Sequence, residues 1–234
     1  MKKWKIEVAV VGLLLAITGV LLFFLNPGVQ ARKVDRMIKD ADRAVSAGQL
    51  LDAEILLRKA ADKQPDNPDL QLKLGTVLEK EGVLEQAKEQ YVAASKAKKI
   101  PEPGYQAGMV ALKMNNRDEA ERLLLENIAS WPSHVPTLYQ LGAIYAKQGK
   151  YEEAIKYFSK IVETEPKEAE AYNDLGFCYF SLEQPQKAKE MFLKALEINP
   201  NFESAKKSLE TVEADLAGKP QQGSTAQKCP DCNK

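Results

Sequence analysis

Three kinds of side chain in this sequence could carry chemistry: thiols, one imidazole and many carboxylates. The thiols are Cys178, Cys229 and Cys232. Cys229-Pro230-Asp231-Cys232 has the C-x-x-C spacing, which permits a disulfide, a redox dithiol or half of a four-cysteine zinc site. Asn233 stands where a haem-attachment motif needs histidine. No thioredoxin-like strand and helix surrounds the pair, which lies in a Gly-, Pro-, Gln- and Ser-rich stretch expected to be a flexible tail. Cys229 and Cys232 are therefore redox or metal candidates. Cys178, between Phe177 and Tyr179, reads as a small packed residue.

The sole histidine, His134, sits in a Pro132-Ser133-His134 turn with no base or nucleophile expected beside it. The carboxylates alternate with lysine on helical faces, as at Glu152, Glu153 and Lys156, the pattern of a solvated, ion-paired surface. Glycines are dispersed and form no phosphate-binding loop. With 33 basic and 33 acidic residues there is no electrostatic footprint for nucleic acid. The expectation is a chain that is not an enzyme and has no cofactor, no catalytic metal, no small-molecule substrate and no nucleic-acid partner.

The elements around these residues repeat. LYQLGAIYAKQGKYEEA begins at Leu138, and AYNDLGFCYFSLEQPQKA begins at Ala171. They align at a spacing of 34: Leu141-Gly142 with Leu175-Gly176, Tyr145 with Tyr179, Ala154 with Ala188, Phe158 with Phe192, and Pro166 with Pro200. Leu74-Gly75, Leu78 and Ala87 stand in the same relation, as do Gly108, Ala111 and Ala120. Ala41, Ala44, Ala53, Leu57, Ala60 and Pro65 form a weaker first copy. Asp40, Ala107 and Asn127 depart from the pattern. Gly48, Gly82 and Gly149 mark turns, and the prolines mark helix boundaries.

These coincidences resemble the tetratricopeptide repeat family over residues 34–200. The resemblance implies an all-α, right-handed superhelical solenoid of antiparallel helix pairs. Five repeats are expected at 34–67, 68–100, 101–134, 135–168 and 169–200. A capping helix at 201–217 and the tail at 218–234 would follow. In the family, the first helix of each pair lines the concave side, and positions 5, 9 and 12 of each repeat form a stripe there. That stripe is Ile38, Asp42 and Val45, then Leu72, Thr76 and Glu79. It continues through Tyr105, Met109 and Leu112, then Tyr139, Ala143 and Ala146, then Asn173, Phe177 and Phe180. It holds no Lys or Arg, which disfavours the mode in which such domains hold a partner's terminal carboxylate. Its second half is apolar and aromatic, suited to an extended peptide or an amphipathic helix. Burial by the chain's own neighbours is the competing account of the same residues.

Residues 8–25 contain no charge and would span about 27 Å as a helix, close to a hydrocarbon core of roughly 30 Å. Residues 1–31 are thus expected to be an N-terminal transmembrane helix. Cleavage after Val29-Gln30-Ala31 would make them a signal sequence instead. The expected protein is a membrane-tethered, single-pass scaffold with its repeats extracytoplasmic, on the periplasmic side of a bacterial inner membrane. It would bind a protein or peptide partner in envelope assembly, secretion or maturation machinery. The alternative is a thiol-disulfide or metal-handling accessory using Cys229 and Cys232.

Overall fold

The structure, a computed structural model, describes residues 27–97 and 100–218. The described residues form helices joined by short turns, with no strand among them. The chain divides into two compact units, Met1–Lys99 and Ile100–Lys234.

The first unit contains α1 (Pro27–Ser46), α2 (Leu50–Ala61), α3 (Pro68–Glu81) and α4 (Leu84–Ala97). Short turns make each consecutive pair an antiparallel hairpin. Asn67 starts α3: its side-chain oxygen accepts from the N–H of Asp69 at 3.0 Å and of Leu70 at 3.3 Å. Pro68 follows at the first helical position, where its missing N–H costs nothing. Small and aliphatic residues fill the interior, among them Ala41, Ala53, Leu57, Ala60, Leu74, Leu78 and Ala87. Gly75 lets the Tyr91 ring lie against the helix backbone, and a Cβ there would be 2.9 Å from two ring carbons. The Tyr91 hydroxyl then donates to Glu79 at 2.7 Å, so the buried ring keeps its polar tip satisfied.

The second unit contains α5 (Glu102–Lys113), α6 (Arg117–Ser130), α7 (Val135–Lys147), α8 (Tyr151–Thr164), α9 (Ala169–Ser181), α10 (Pro185–Ile198) and α11 (Glu203–Leu216). The same device recurs in it. A Cβ on Gly108 would meet Leu124 Cδ2 at 2.6 Å, one on Gly142 would meet Phe158 Cε1 at 2.7 Å, and one on Gly176 would meet Phe192 Cε1 at 2.6 Å. The glycines thus admit large apolar side chains at the hairpin crossings. Full burial of such a side chain contributes roughly 1.5–3 kcal/mol, more than the roughly 1 kcal/mol a helical glycine costs. Beyond α10, α11 buries Ala205 and Val212, the latter against Ala188 and Phe192. Lys189 and Glu213 form an ion pair there at 2.7 Å.

The α1–α2, α3–α4, α5–α6, α7–α8 and α9–α10 turns each carry one residue in the left-handed region: Gly48 (φ 75°), Gly82 (81°), Asn115 (60°), Gly149 (75°) and Glu183 (56°). In all five, the next residue's N–H returns to the carbonyl five positions earlier at 2.9 Å: Gln49 to Ala44, Val83 to Leu78, Asn116 to Ala111, Lys150 to Tyr145, and Gln184 to Tyr179. This bond closes the helix end and fixes the reversal. Three of the turns are announced by glycine. Asn115 and Glu183 adopt the same conformation without one.

One expectation is corrected here. The expected transmembrane helix is not found: no helix among the described residues is long and apolar enough to cross a membrane. The physical reason is length and charge. Helices α2 to α11 have 12–14 residues, about 18–21 Å, short of the roughly 30 Å required. α1 has 20 residues but carries Arg32, Lys33, Asp35, Arg36, Lys39, Asp40, Asp42 and Arg43. The apolar run at 8–25 lies outside the described residues.

Candidate functional site

The stripe residues of the second unit lie on α5, α7 and α9, the first helices of their hairpins. On α5, Tyr105, Met109 and Leu112 are half-buried. Tyr105 and Leu112 pack partly against the Leu124–Leu141–Ile144 cluster. The Tyr105 ring stands edge-on to His134, centroids 5.6 Å apart at 72°. Burial and the nearby Glu102 push the Tyr105 phenol above its ordinary value, while a hydrogen bond with Gln140 opposes them.

On α7 and α9, Tyr139, Phe177 and Phe180 are half-buried, whereas Ala143 and Asn173 are buried. Tyr139 packs edge-on against Phe158 at 5.7 Å, and its hydroxyl donates to Asp174 Oδ2 at 2.6 Å. Phe177 meets Tyr151 edge-on at 6.1 Å, and Phe180 packs against the Ala188–Phe192–Val212 cluster. Each ring therefore presents one side outward while another side contributes to the interior. The structure brings Tyr139 and Asn173 together through Asp174, which receives the Asn173 amide at 3.4 Å.

Sequence reasoning missed Asp174. It occupies the register of Gln106 and Gln140, so a polar residue recurs every 34 positions within apolar helices. That recurrence was the available signal. Missed as well was a buried chain of hydrogen bonds behind His134. Asn127 Nδ2 donates to the Pro101 carbonyl at 2.6 Å, which leaves Asn127 Oδ1 to accept from the Thr137 hydroxyl at 2.8 Å. The hydroxyl proton is thereby committed, so His134 Nδ1 donates to Thr137 Oγ1 across 2.7 Å. Gly104 makes the room, since a Cβ there would lie 2.5 Å from Asn127 Nδ2. Leu138 and Ile161 hold these two registers one unit later, so a glycine and an amide replace two aliphatic side chains. Burial holds the His134 imidazole below its ordinary value, with Glu102 opposing the shift.

Elsewhere in the unit the Tyr145 and Tyr157 rings stack at 5.5 Å, and the Tyr145 hydroxyl donates to Glu121 at 2.7 Å. Burial, reinforced by that carboxylate, pushes the Tyr145 phenol up.

The thiol and metal alternative is not supported. Among the described residues no group of three or more His, Cys, Asp or Glu could hold a metal ion. Cys178 is a buried thiol, and Cys229 and Cys232 lie outside the described residues. Tethering by an N-terminal helix, and the single-pass periplasmic placement built on it, are withdrawn with the transmembrane helix for the reason given above. The assignment to envelope machinery rested on that tether and falls with it.

A sequence model of the family described as Tetratricopeptide repeat matches residues 134–201. No curated protein matches the chain. Solved structures do. YrrB, described as a TPR protein with an unusual peptide-binding site, is 24% identical with a TM-score of 0.61, over 74% of this chain and 90% of its own. A MamA protein is 23% identical with a TM-score of 0.64, over 73% and 93%. A tetratricopeptide repeat protein from Parabacteroides merdae is 21% identical with a TM-score of 0.66, over 80% and 75%. At these identities the likeness is one of fold. Residues 134–201 match the tetratricopeptide repeat model, and the described helices of each unit share the all-α, hairpin-by-hairpin fold of these solved structures.

Proposed function

We propose that this chain is a non-catalytic scaffold whose second unit docks a protein or peptide segment across α5, α7 and α9. The observation that carries the reading is the recurrence of half-exposed apolar and aromatic side chains at one register: Tyr105, Met109 and Leu112, then Tyr139, then Phe177 and Phe180. Ala143 and Asn173 complete the stripe between them. Large rings backed by a packed interior lose little side-chain entropy on binding, which suits them as anchors. An extended segment would meet them at successive hairpins. The likeness in fold to YrrB, itself described as having a peptide-binding site, supports the same reading. In it the repeats divide at 34–67, 68–100, 101–134, 135–168 and 169–200, with 201–217 as a cap.

Random peptides displayed on phage and selected on the full chain supply the probe. On titrating a selected peptide, nuclear magnetic resonance signals of Tyr105, Met109, Leu112, Phe177 and Phe180 should shift together. Met109→Glu should weaken binding about tenfold with helicity retained. Shifts confined to α6, α8 and α10, or an unaffected Met109→Glu variant, would place any binding on another face and refute the proposal.

A further inference from the structure

Two acceptors sit side by side on α9. Asp174, 4% exposed, receives the Tyr139 hydroxyl at 2.6 Å and the Asn173 amide at 3.4 Å. Asn173, 6% exposed, directs its Nδ2 to that carboxylate, and its Oδ1 has no hydrogen-bond partner. Flipping the amide does not remove the orphan, because it would set one acceptor oxygen against another. A buried amide oxygen without a donor is unfavourable by itself, and here it adjoins a buried carboxylate.

The surroundings decide which donor fits. Asn173 shares its helix face with Phe177 and Phe180, both half-exposed, and Tyr139 reaches the pair from α7. Rings beside carboxylate and amide oxygens suit a cation on an apolar stem: the stem lies along the rings and the head donates to the oxygens. An anionic side chain would be repelled, and an aliphatic one would leave Asn173 Oδ1 unserved.

We propose that the segment docked on α5, α7 and α9 carries a Lys or Arg side chain that inserts beside Tyr139 and donates to Asn173 Oδ1 and the Asp174 carboxylate. This rests on the docking function proposed above and names its recognition chemistry. Apolar residues of the segment on either side of the cation meet Tyr105 and Met109 in one direction and Phe177 and Phe180 in the other.

The experiment uses phage-displayed random peptides selected on the full chain, then calorimetric titration of one selected peptide and its variant with norleucine, which keeps the apolar stem and lacks the cationic head. The expected result is a shared Lys or Arg at one position among apolar residues. Norleucine there should weaken binding about tenfold or more, the effect of losing a charge-assisted hydrogen bond. Asp174→Asn, which still accepts from Tyr139, should weaken the cationic peptide comparably and leave the norleucine peptide unchanged. If that variant does not fold, by circular dichroism, the norleucine comparison decides alone. Selected peptides without a common cation, or equal affinities for the two peptides, overturn the inference and assign a buried water to Asn173 Oδ1, with docking intact. Failure to select any peptide overturns both this inference and the docking function.

Discussion

Gly142→Ala sets two physical effects against each other. In an open helix the change should stabilise by about 1 kcal/mol, the difference in helix propensity. In this fold the new methyl would stand 2.7 Å from Phe158 Cε1, 2.8 Å from Cζ and 3.0 Å from Cδ1. The ring cannot easily withdraw. It is 1% exposed, and Tyr139, itself tied to Asp174 by its hydroxyl, packs against it edge-on. Overpacking of this kind costs about 1–3 kcal/mol, so the net effect should be a loss of up to roughly 2 kcal/mol. For a chain of this size that lowers Tm by up to roughly 8 °C. Thermal and urea unfolding followed by far-ultraviolet circular dichroism measures it. The source of the loss is tested by adding Phe158→Leu, which removes the ring. Gly142→Ala in that background should cost at least about 0.5 kcal/mol less than in the wild type, the coupling expected of residues in contact. An equal effect of Gly142→Ala in the wild-type and Phe158→Leu backgrounds would show that the glycine serves no packing purpose and would sink the account of the hairpin crossings.

Glu183→Gly should stabilise the chain by about 0.5–1 kcal/mol, because a residue with a Cβ pays about 1–2 kcal/mol at its left-handed φ of 56°; denaturation midpoints check this. Gly149→Ala, at φ 75° with nothing within 4 Å of the added Cβ, should lose a similar amount through backbone strain alone. Asn127→Ala should cost about 1–3 kcal/mol by leaving the Thr137 hydroxyl and Pro101 carbonyl without their partner, measured by chemical denaturation. His134 should titrate below 6.5 in the folded chain, read from its imidazole proton resonances. A depressed histidine pKa means that the unfolded state binds more protons. Its effect on stability is therefore absent above about 6.5 and appears as a loss as pH falls from there through the folded pKa, so His134→Gln should flatten that slope.

Most of the hairpin pattern was legible in the residues. Leu-Gly pairs, alanines at Ala87, Ala120, Ala154 and Ala188, and aromatics at Phe158 and Phe192 recur because each hairpin solves the same local problem. Two helices must approach closely, and one large side chain must fill the glycine opposite it. The candidate site was legible only in outline. Periodicity identified which helix faces Tyr105, Tyr139 and Phe177 occupy, but not that each ring is shared between the interior and the surface. Whether a ring is covered depends on residues of neighbouring hairpins, such as Tyr151 beside Phe177 and Val212 near Phe180.

Taken alone, the sequence determined the helical period, the hairpin turns at Gly48, Gly82 and Gly149, and the small residues at the crossings. These depend on contacts within one repeat unit, so a 34-residue spacing suffices to reveal them. Only the tertiary structure decided the rest. Glu183 takes a glycine's conformation because the α9–α10 reversal demands it. Asn127 replaces an aliphatic residue because Gly104, on another helix, leaves it space and Pro101 offers it a carbonyl. Asp174 is buried with its carboxylate accepting from Tyr139, which reaches it from the preceding hairpin. Each outcome depends on a partner 23 to 35 residues away or on a turn imposed from both sides, and a pattern of residue types along the chain does not encode which polar atoms such partners will satisfy.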